Sequence, residues 1–277
     1  MTAALQLWLI GQGITDSPSP VMQRAALRAR GVDGDYRVID VDAAELGEVL
    51  ARLRRGEAHG ANVTIPHKLA TAAACDRLEG DAVLTGAVNT VVNESGTLVG
   101  DNTDARGLEA ALCELGMWPR SGARVLILGA GGAAAAAVLA MSRVPASTVV
   151  LAVRSASRGA PLAARMRSVA DVLISDWSTA AVAPHLGDVD VVINATPASL
   201  HDMPFHPRDL PTTALVVDLR YRPRPVDLVR AAAEAGLQSC DGLEMLLHQG
   251  MLSFGRWTGA EPPWSEARAA LLRAVEG

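Results

Sequence analysis

The sequence predicts an α/β protein, and three observations support this fold class. Strands and helices alternate through the first hundred residues, continuous Val/Ile/Leu runs separated by helices follow, and the last part is helical. Uninterrupted apolar strands are typical of a parallel sheet covered on both faces. The chain has 277 residues, 49% of them hydrophobic, which is enough for one large domain or two of ordinary size.

The pattern of the first region predicts alternating elements with one hairpin. Strands are expected at 5–10, 36–41, 59–65, 88–92 and 97–99, and helices at 20–30, 43–54, 69–78 and 104–115. Within Gly60–Lys68, which reads GANVTIPHK, alternation places Asn62 and Thr64 on one strand face and anchors Val63 and Ile65 in a core. By itself this pattern fits either an ordinary half-buried strand or a strand that presents polar groups to a ligand.

A change of pattern at Arg120-Ser121-Gly122 predicts a boundary. After it, strands are expected at 124–128, 148–153, 172–174, 189–193 and 215–219, and terminal helices at 243–258 and 265–275. The uncharged stretch 125–142 is long enough to resemble a membrane span. Three glycines interrupt it, so a strand, turn and helix are the better interpretation, and no membrane association is expected.

The glycine turn from Gly129 to Ala134 fits G-x-G-x-x-A between a strand and a helix, which predicts dinucleotide binding. Glycine permits the tight turn and the approach of backbone to a pyrophosphate, and the helix N-terminus supplies amide donors. A tight turn without a ligand is the alternative. The next strand ends in Arg154, Ser155 and Arg158 rather than an acidic residue, which favours the 2′-phosphate of NADP over two ordinary surface arginines.

Composition excludes several other classes of protein. The formal net charge is −5, from 25 basic and 30 acidic residues, which argues against nucleic-acid binding. Cys75, Cys113 and Cys240 lack the spacing of a disulfide framework or a zinc site, so we expect buried free thiols, no metal and a cytoplasmic location. No secretory signal is expected from the N-terminal residues.

A second set of polar residues lies at predicted strand ends and helix starts. Ser19 and Asp104 could each be a helix cap, and Gln249, next to His248, lies on an otherwise apolar helix. Taken singly, each has an ordinary structural explanation. Together they supply hydroxyls, amides, a lysine and a carboxylate, which would suit a small polyhydroxylated acid.

Six motifs in order and spacing resemble the shikimate dehydrogenase family over nearly the whole chain. They are Gly60–Lys68 (GANVTIPHK), Gly86–Thr90 (GAVNT), Gly100–Asp104 (GDNTD), Gly129–Ala133 (GAGGA), Asn194-Ala195-Thr196 and Asp241–Gln249 (DGLEMLLHQ). The resemblance implies an NADP-dependent oxidoreductase of aromatic amino-acid biosynthesis that interconverts shikimate and 3-dehydroshikimate. It also implies a substrate-binding α/β domain, residues 1–104 and 244–277, and a Rossmann domain, residues 105–243, with the active site in the cleft between them.

The resemblance implies a role for each matching position. Lys68 and Asp104 would be the catalytic pair. The substrate carboxylate would be held by Ser17 and Ser19, and the ring hydroxyls by Asn62, Thr64, Asn89, Tyr221 and Gln249. The cofactor would be held by Gly129, Ala130, Gly131, Gly132, Ala133, Arg154, Ser155 and Arg158, with Thr196, Leu219 and Gly242 lining the nicotinamide. We expect either a monomer or a homodimer.

Four positions depart from the family's usual pattern. Gly13 and Asp16 stand where Pro and His are usual, Val153 replaces an Asn, and Ser199 replaces a Gly, which could crowd the nicotinamide. A carboxylate at Asp16 is unhelpful beside the expected carboxylate site unless it points away. Quinate or aminoshikimate therefore remain alternative substrates, and a catalytically idle NADP-binding regulatory relative is a third alternative, against which the intact Lys68 and Asp104 argue.

Overall fold

The structure is a computed structural model that describes residues 4–276, and the chain divides into two compact units. The first unit contains the described residues up to Thr103 and from Leu246 onward, and the second runs from Asp104 to Met245. The boundary expected at 120–122 is therefore wrong. The helix that precedes it belongs to the second unit because it packs against the helix Gly132–Ser142 of that unit.

The first unit begins with four strand–helix pairs, which are followed by a hairpin of two strands. Its elements up to Thr103 are β1 (Leu5–Gly11), α1 (Ser19–Ala29), β2 (Gly34–Asp40), α2 (Leu46–Arg54), β3 (Gly60–Val63), α3 (Lys68–Ala74), β4 (Arg77–Leu78), α4 (Asp81–Thr85), β5 (Thr90–Glu94) and β6 (Thr97–Asp101). They form one sheet in the order β2-β1-β3-β5-β6-β4. β1 pairs in parallel with β2 and β3, while β5 is antiparallel to β3 and β6.

Three expectations for this unit need correction. β3 ends at Val63, because the His67 amide donates to the Thr64 carbonyl and turns the chain, so Ile65 is 62% exposed and anchors no core. The helix expected to reach residue 78 ends at Ala74, since Arg77–Leu78 pairs with β6 instead. Ser19 is the first residue of α1 and makes no capping hydrogen bond. The hairpin of β5 and β6 is confirmed.

The second unit contains a parallel sheet with helices between most strands. Its elements are α5 (Asp104–Glu114), β7 (Arg124–Leu128), α6 (Gly132–Ser142), β8 (Thr148–Val153), α7 (Ala156–Met166), β9 (Val172–Asp176), α8 (Thr179–Val182), β10 (Val191–Asn194), β11 (Leu215–Asp218), α9 (Asp227–Glu234) and β12 (Gln238–Asp241). Two helices complete the chain, α10 (Leu243–Thr258), which crosses from the second unit into the first, and α11 (Trp264–Glu276), which packs on α1.

The second sheet has the order β12-β11-β10-β7-β8-β9 with every pair parallel. The chain therefore reverses direction across the sheet between β7 and β10, as in a doubly wound dinucleotide-binding fold. The α/β fold class and the strand, turn and helix at 125–142 are confirmed. β12 was not expected, because its sequence QSCD has no apolar run.

Two side findings complete the fold. Among residues 4–276, no helix combines the length and the apolar character needed to cross a membrane. All three cysteines are free, but Cys113 is exposed and the other two are only partly buried, so the expectation of buried thiols is wrong for Cys113.

Candidate active site

A buried polar network joins three of the predicted substrate residues in the first unit. The side-chain nitrogen Nδ2 of Asn62 donates to the backbone carbonyl of Asn89 at 3.0 Å. The side-chain nitrogen Nδ2 of Asn89 donates to Gln249 Oε1 at 3.1 Å. Asn62 and Asn89 are 6% and 1% exposed. The end of β3, the start of β5 and α10 are therefore connected at one point by side-chain amides.

Other buried groups complete the hydrogen bonding of these amides. Tyr36 Oη donates to Asn62 Oδ1 at 2.8 Å, and Asn62 Nδ2 also donates to Ser253 Oγ at 2.9 Å. Asn89 Oδ1 accepts from the Thr103 amide at 2.8 Å. Because the NH2 groups of both amides already have two protein partners each, a ligand oxygen can accept from them only by replacing one of those partners. Half-buried side chains such as Gln249 remain more accessible.

Ser17, in the loop between β1 and α1, lies beside Ser19, the first residue of α1. Their hydroxyls are 3.2 Å apart, and the Ser19 amide donates to Ser17 Oγ. The same loop is anchored by Asp40, whose carboxylate accepts from the amides of Gly13 and Ile14. Gly13 has φ of +67°, which the ring of a proline cannot adopt, and this explains one departure from the family pattern.

Lys68 is the first residue of α3, is half-buried, and is the only lysine in the chain. Its neighbour His67 is buried, and His67 Nε2 lies 2.8 Å from the Val41 carbonyl oxygen just after β2. Val88 donates its amide to the Lys68 carbonyl at 2.9 Å. These contacts fix the backbone that carries the lysine. Thr64 lies in the preceding turn, and its amide donates to Ile10.

Asp104 is the first residue of α5 and of the second unit, and it is 3% exposed. A carboxylate at a helix N-terminus is stabilised by the helix dipole. Tyr221 lies in the same unit, half-buried, just after β11.

The glycine turn of the second unit follows β7. Gly129 has φ of +111°, and a Cβ there would lie 2.7 Å from Thr196 Cγ2, so the loops after β7 and β10 meet at this point. Gly131 is the residue before α6, and a Cβ on it would meet nothing within 4 Å. Gly131 therefore adjoins open space, and the backbone amides of Gly132 and Ala133 lie in the first turn of α6 directly after it. This arrangement fits a pyrophosphate.

The residues expected to hold a 2′-phosphate follow β8. Ser155 occupies the N-cap position of α7, but its side chain makes no capping hydrogen bond. Its Oγ lies 2.7 Å from Ser157 Oγ. Arg154 and Arg158 are exposed. The Arg154 guanidinium lies 5.2 Å from the ring centroid of Trp177, which follows β9. Two cations and two hydroxyls at one strand end are a donor set that fits a phosphate.

An ionic network holds the loops after β10 and β11. Asn194 Nδ2 donates to Asp218 at 3.1 Å, and Asn194 Oδ1 accepts from Thr196 Oγ1 at 2.7 Å. Arg220 pairs with buried Asp218 and with Asp227. Partial burial opposes ionisation of Asp227, but hydrogen bonds from the Leu200 amide and Arg220 outweigh it, so the pKa of Asp227 lies below its usual value.

Leu219 and Gly242 lie close to each other within the second unit. The Leu219 amide donates to the Asn194 carbonyl, and the Gly242 amide donates to the Arg220 carbonyl. Ser199 does not project freely, because its hydroxyl donates to Asp202 Oδ2 at 2.9 Å and caps the following turn. The roles assigned to the site residues stay predictions.

Sequence reasoning missed the residues that support the site. They are Tyr36, Thr90, Thr103 and Ser253 in the first unit and Trp177, Asp218, Arg220 and Asp227 in the second. Ser253 could have been found, since it lies one helical turn beyond Gln249 on α10. Trp177 could not, because no pattern links it to Arg154 in the sequence.

Three family models match this chain. The shikimate dehydrogenase substrate-binding domain matches residues 9–91, shikimate / quinate 5-dehydrogenase matches residues 114–245, and the shikimate 5′-dehydrogenase C-terminal domain matches residues 242–272. Relatives named shikimate dehydrogenase (NADP(+)) include one from Geobacter metallireducens, 37% identical over 98% of this chain and 96% of the relative. Another, from Archaeoglobus fulgidus, is 37% identical over 98% and 99%.

The chain is also similar to solved structures over nearly its full length. Shikimate 5-dehydrogenase from Thermus thermophilus, in complex with NADP(H) and shikimate, is 33% identical with a TM-score of 0.84, over 98% of this chain and 99% of that one. Quinate dehydrogenase from Corynebacterium glutamicum, in complex with NAD, is 30% identical with a TM-score of 0.86, over 98% and 99%.

Proposed function

Because this chain belongs to the shikimate dehydrogenase family, we propose that it catalyses the NADP-dependent interconversion of shikimate and 3-dehydroshikimate. The observation that carries this proposal is the similarity over nearly the full length, in both units, to relatives that are named for this activity. The chemistry is the oxidation of a ring alcohol to a ketone, or the reverse.

NADP, when bound, supplies the nicotinamide that accepts or returns the hydride. The chain's own contribution is binding and orientation. Gly129–Ala133 hold the pyrophosphate with backbone amides, and Arg154, Ser155 and Arg158 hold the 2′-phosphate. Thr196, Leu219 and Gly242 face the nicotinamide, and the network through Asn194 and Asp218 holds two of these loops in place.

Lys68 and Asp104 handle the proton that leaves the alcohol oxygen. In the oxidation, the pair takes this proton as the hydride leaves the carbon, and in the reduction the Lys68 ammonium returns a proton to the forming alkoxide. Asp104, at the N-terminus of α5, supplies the carboxylate of the pair.

Substrate recognition falls to the polar groups of the first unit and to Tyr221. The hydroxyls of Ser17 and Ser19, which lie side by side, bind the carboxylate. Thr64 and Gln249, both half-buried, reach the ring hydroxyls. Asn62 and Asn89 order these groups, and Asn89 bonds a hydroxyl by exchanging its contact with Gln249.

The test uses purified protein with shikimate, quinate or aminoshikimate, each with NADP and NAD, followed by absorbance of the reduced cofactor. We expect the highest kcat/KM with shikimate and NADP. A preference for quinate would support the alternative suggested by the quinate dehydrogenase structure and by Gly13 and Asp16. Binding of NADP without turnover of any acid would support an idle relative.

Lys68→Ala and Lys68→Arg test the proton-transfer role. Arginine keeps the charge but does not deprotonate in proteins, so both variants should lose about 10²- to 10⁴-fold in kcat while NADP affinity stays close to that of the parent. Activity in Lys68→Arg would show that only the charge matters. Since Lys68 is the only lysine, ¹⁵N-lysine labelling gives one side-chain signal whose titration can be followed directly.

A reducing compartment such as the cytoplasm suits the three free cysteines. Monomer and homodimer both remain compatible with this function, and light scattering of the purified protein distinguishes them.

A further inference from the structure

Trp177 forms a rigid platform beneath Arg154. Its backbone amide donates to the Val153 carbonyl at 2.9 Å, and its indole nitrogen donates to the Asp202 carbonyl at 3.0 Å. The side chain also packs against the apolar core of the second unit. Trp177 is therefore held at its backbone, at its indole nitrogen and by packing against the core.

The Arg154 guanidinium lies over this ring, 5.2 Å from its centroid. An arginine above an indole is held by cation–π attraction through the face of its planar group. Its N–H donors point along the edges of that plane, so they stay available for bidentate bonds to a phosphate. Stacking thus orders a long side chain without using the donors that a ligand needs.

We propose that Trp177 is a specificity-determining positioning residue that selects the 2′-phosphorylated cofactor by holding Arg154 in its binding orientation. This inference rests on the proposed NADP site and extends it to a residue outside the glycine turn and the Arg154–Arg158 segment. Trp177 does not touch the reacting atoms. It acts through Arg154, so its effect is limited to ligands that carry the 2′-phosphate.

The size of the effect follows from the entropy of ordering one side chain. Without the ring, phosphate binding must order the Arg154 side chain, and this cost corresponds to about a three- to tenfold change in Kd. Loss of the ring should weaken 2′-phosphate binding by this factor. Ligands without that phosphate should bind as before.

The experiment measures binding of 2′,5′-ADP and of 5′-AMP by calorimetry, in the parent and in Trp177→Leu, Trp177→Phe and Arg154→Ala. Trp177→Leu should raise the Kd of 2′,5′-ADP about three- to tenfold and leave 5′-AMP unchanged. Trp177→Phe keeps an aromatic face and should recover most of the loss. Arg230→Ala removes an exposed arginine on α9 and serves as the charge control, with no expected change.

A double-mutant cycle separates positioning from general damage. In the Arg154→Ala background, Trp177→Leu should have no further effect on 2′,5′-ADP, because the group it holds is gone. Equal weakening of both nucleotides, or no weakening of either, would overturn the proposal. A parent protein that binds 2′,5′-ADP in this Trp177-dependent way but turns over no acid would refute the proposed reaction and leave this inference standing.

Discussion

Gly242→Ala should destabilise the second unit strongly, although it adds only one methyl group. A Cβ built on Gly242 would lie 2.7 Å from the Leu219 carbonyl carbon and 3.1 Å from its Cα, and closer still to the carbonyl oxygen. All three obstructing atoms are backbone, so no side chain can rotate away. Gly242 does not have a left-handed φ, so the cost is steric rather than conformational.

The magnitude follows from what must move. Overpacking against fixed atoms costs about 1–3 kcal/mol. Separating the loop after β11 from the end of β12 also breaks the hydrogen bond from the Gly242 amide to the Arg220 carbonyl, worth about 1 kcal/mol. A total of about 2–4 kcal/mol corresponds to a fall in Tm of roughly 5–15 °C for a unit of this size.

Thermal unfolding by circular dichroism, together with NADP binding, measures the effect, and Gly131→Ala is the matched control. A Cβ on Gly131 meets nothing within 4 Å, so this change should cost less than about 1 kcal/mol of stability. It should weaken NADP binding instead, by occupying the space that the pyrophosphate needs. A Tm for Gly242→Ala equal to that of the parent would refute the reasoning.

Two further predictions concern buried ionisable groups. Arg220→Met should lower the free energy of unfolding by about 3 kcal/mol, because it leaves the buried Asp218 carboxylate without its ion-pair partner. Arg124→Met, which removes an exposed ion pair with Asp188, is the control and should cost under about 1 kcal/mol. Equal losses for the two variants in urea unfolding would contradict this prediction. Burial, aided by the charge of the neighbouring carboxylate, raises the pKa of the Cys240 thiol to about 12. The folded state therefore disfavours the thiolate, so the stability that this thiol contributes is complete below its unfolded pKa of about 8.5 and is lost as the pH rises towards 12. Cys240→Ala should flatten the alkaline decline in the free energy of unfolding between about pH 9 and 11, and parallel curves for parent and variant would count against the assignment.

The sequence predicted the elements whose pattern is local. The apolar runs at β7, β8 and β11 and the glycines after β7 each carry their own signal, because a buried parallel strand and a phosphate-binding turn both need particular residue types. β12 escaped prediction because an edge strand with the sequence QSCD buries too little to need an apolar run. The prediction that Ile65 is buried was wrong because the chain turns at Thr64, although the alternation of polar and apolar residues continues to Ile65 in the sequence.

The residues of the candidate site likewise fall into those that the sequence predicts and those that it does not. Gly129 is recognisable from the glycine pattern between a strand and a helix, whereas Lys68 is singled out only by the family resemblance. The supporting residues are not recognisable, since Tyr36 reaches Asn62 and Trp177 reaches Arg154 through contacts between separate strands. Such pairs depend on the register of the sheets, which cannot be deduced directly from the amino-acid sequence.

The first unit is built from two separated stretches of chain, and this affects how the protein is made. Asn62 receives its contact with Ser253 only after 191 further residues have been added. The second unit, being one uninterrupted stretch, is complete on the ribosome before that contact can form. A nascent chain halted before α10 therefore lacks the hydrogen bonds of Asn62 to Ser253 and of Asn89 to Gln249 and leaves the surface that α10 covers exposed, which makes it a natural client for chaperones and proteases.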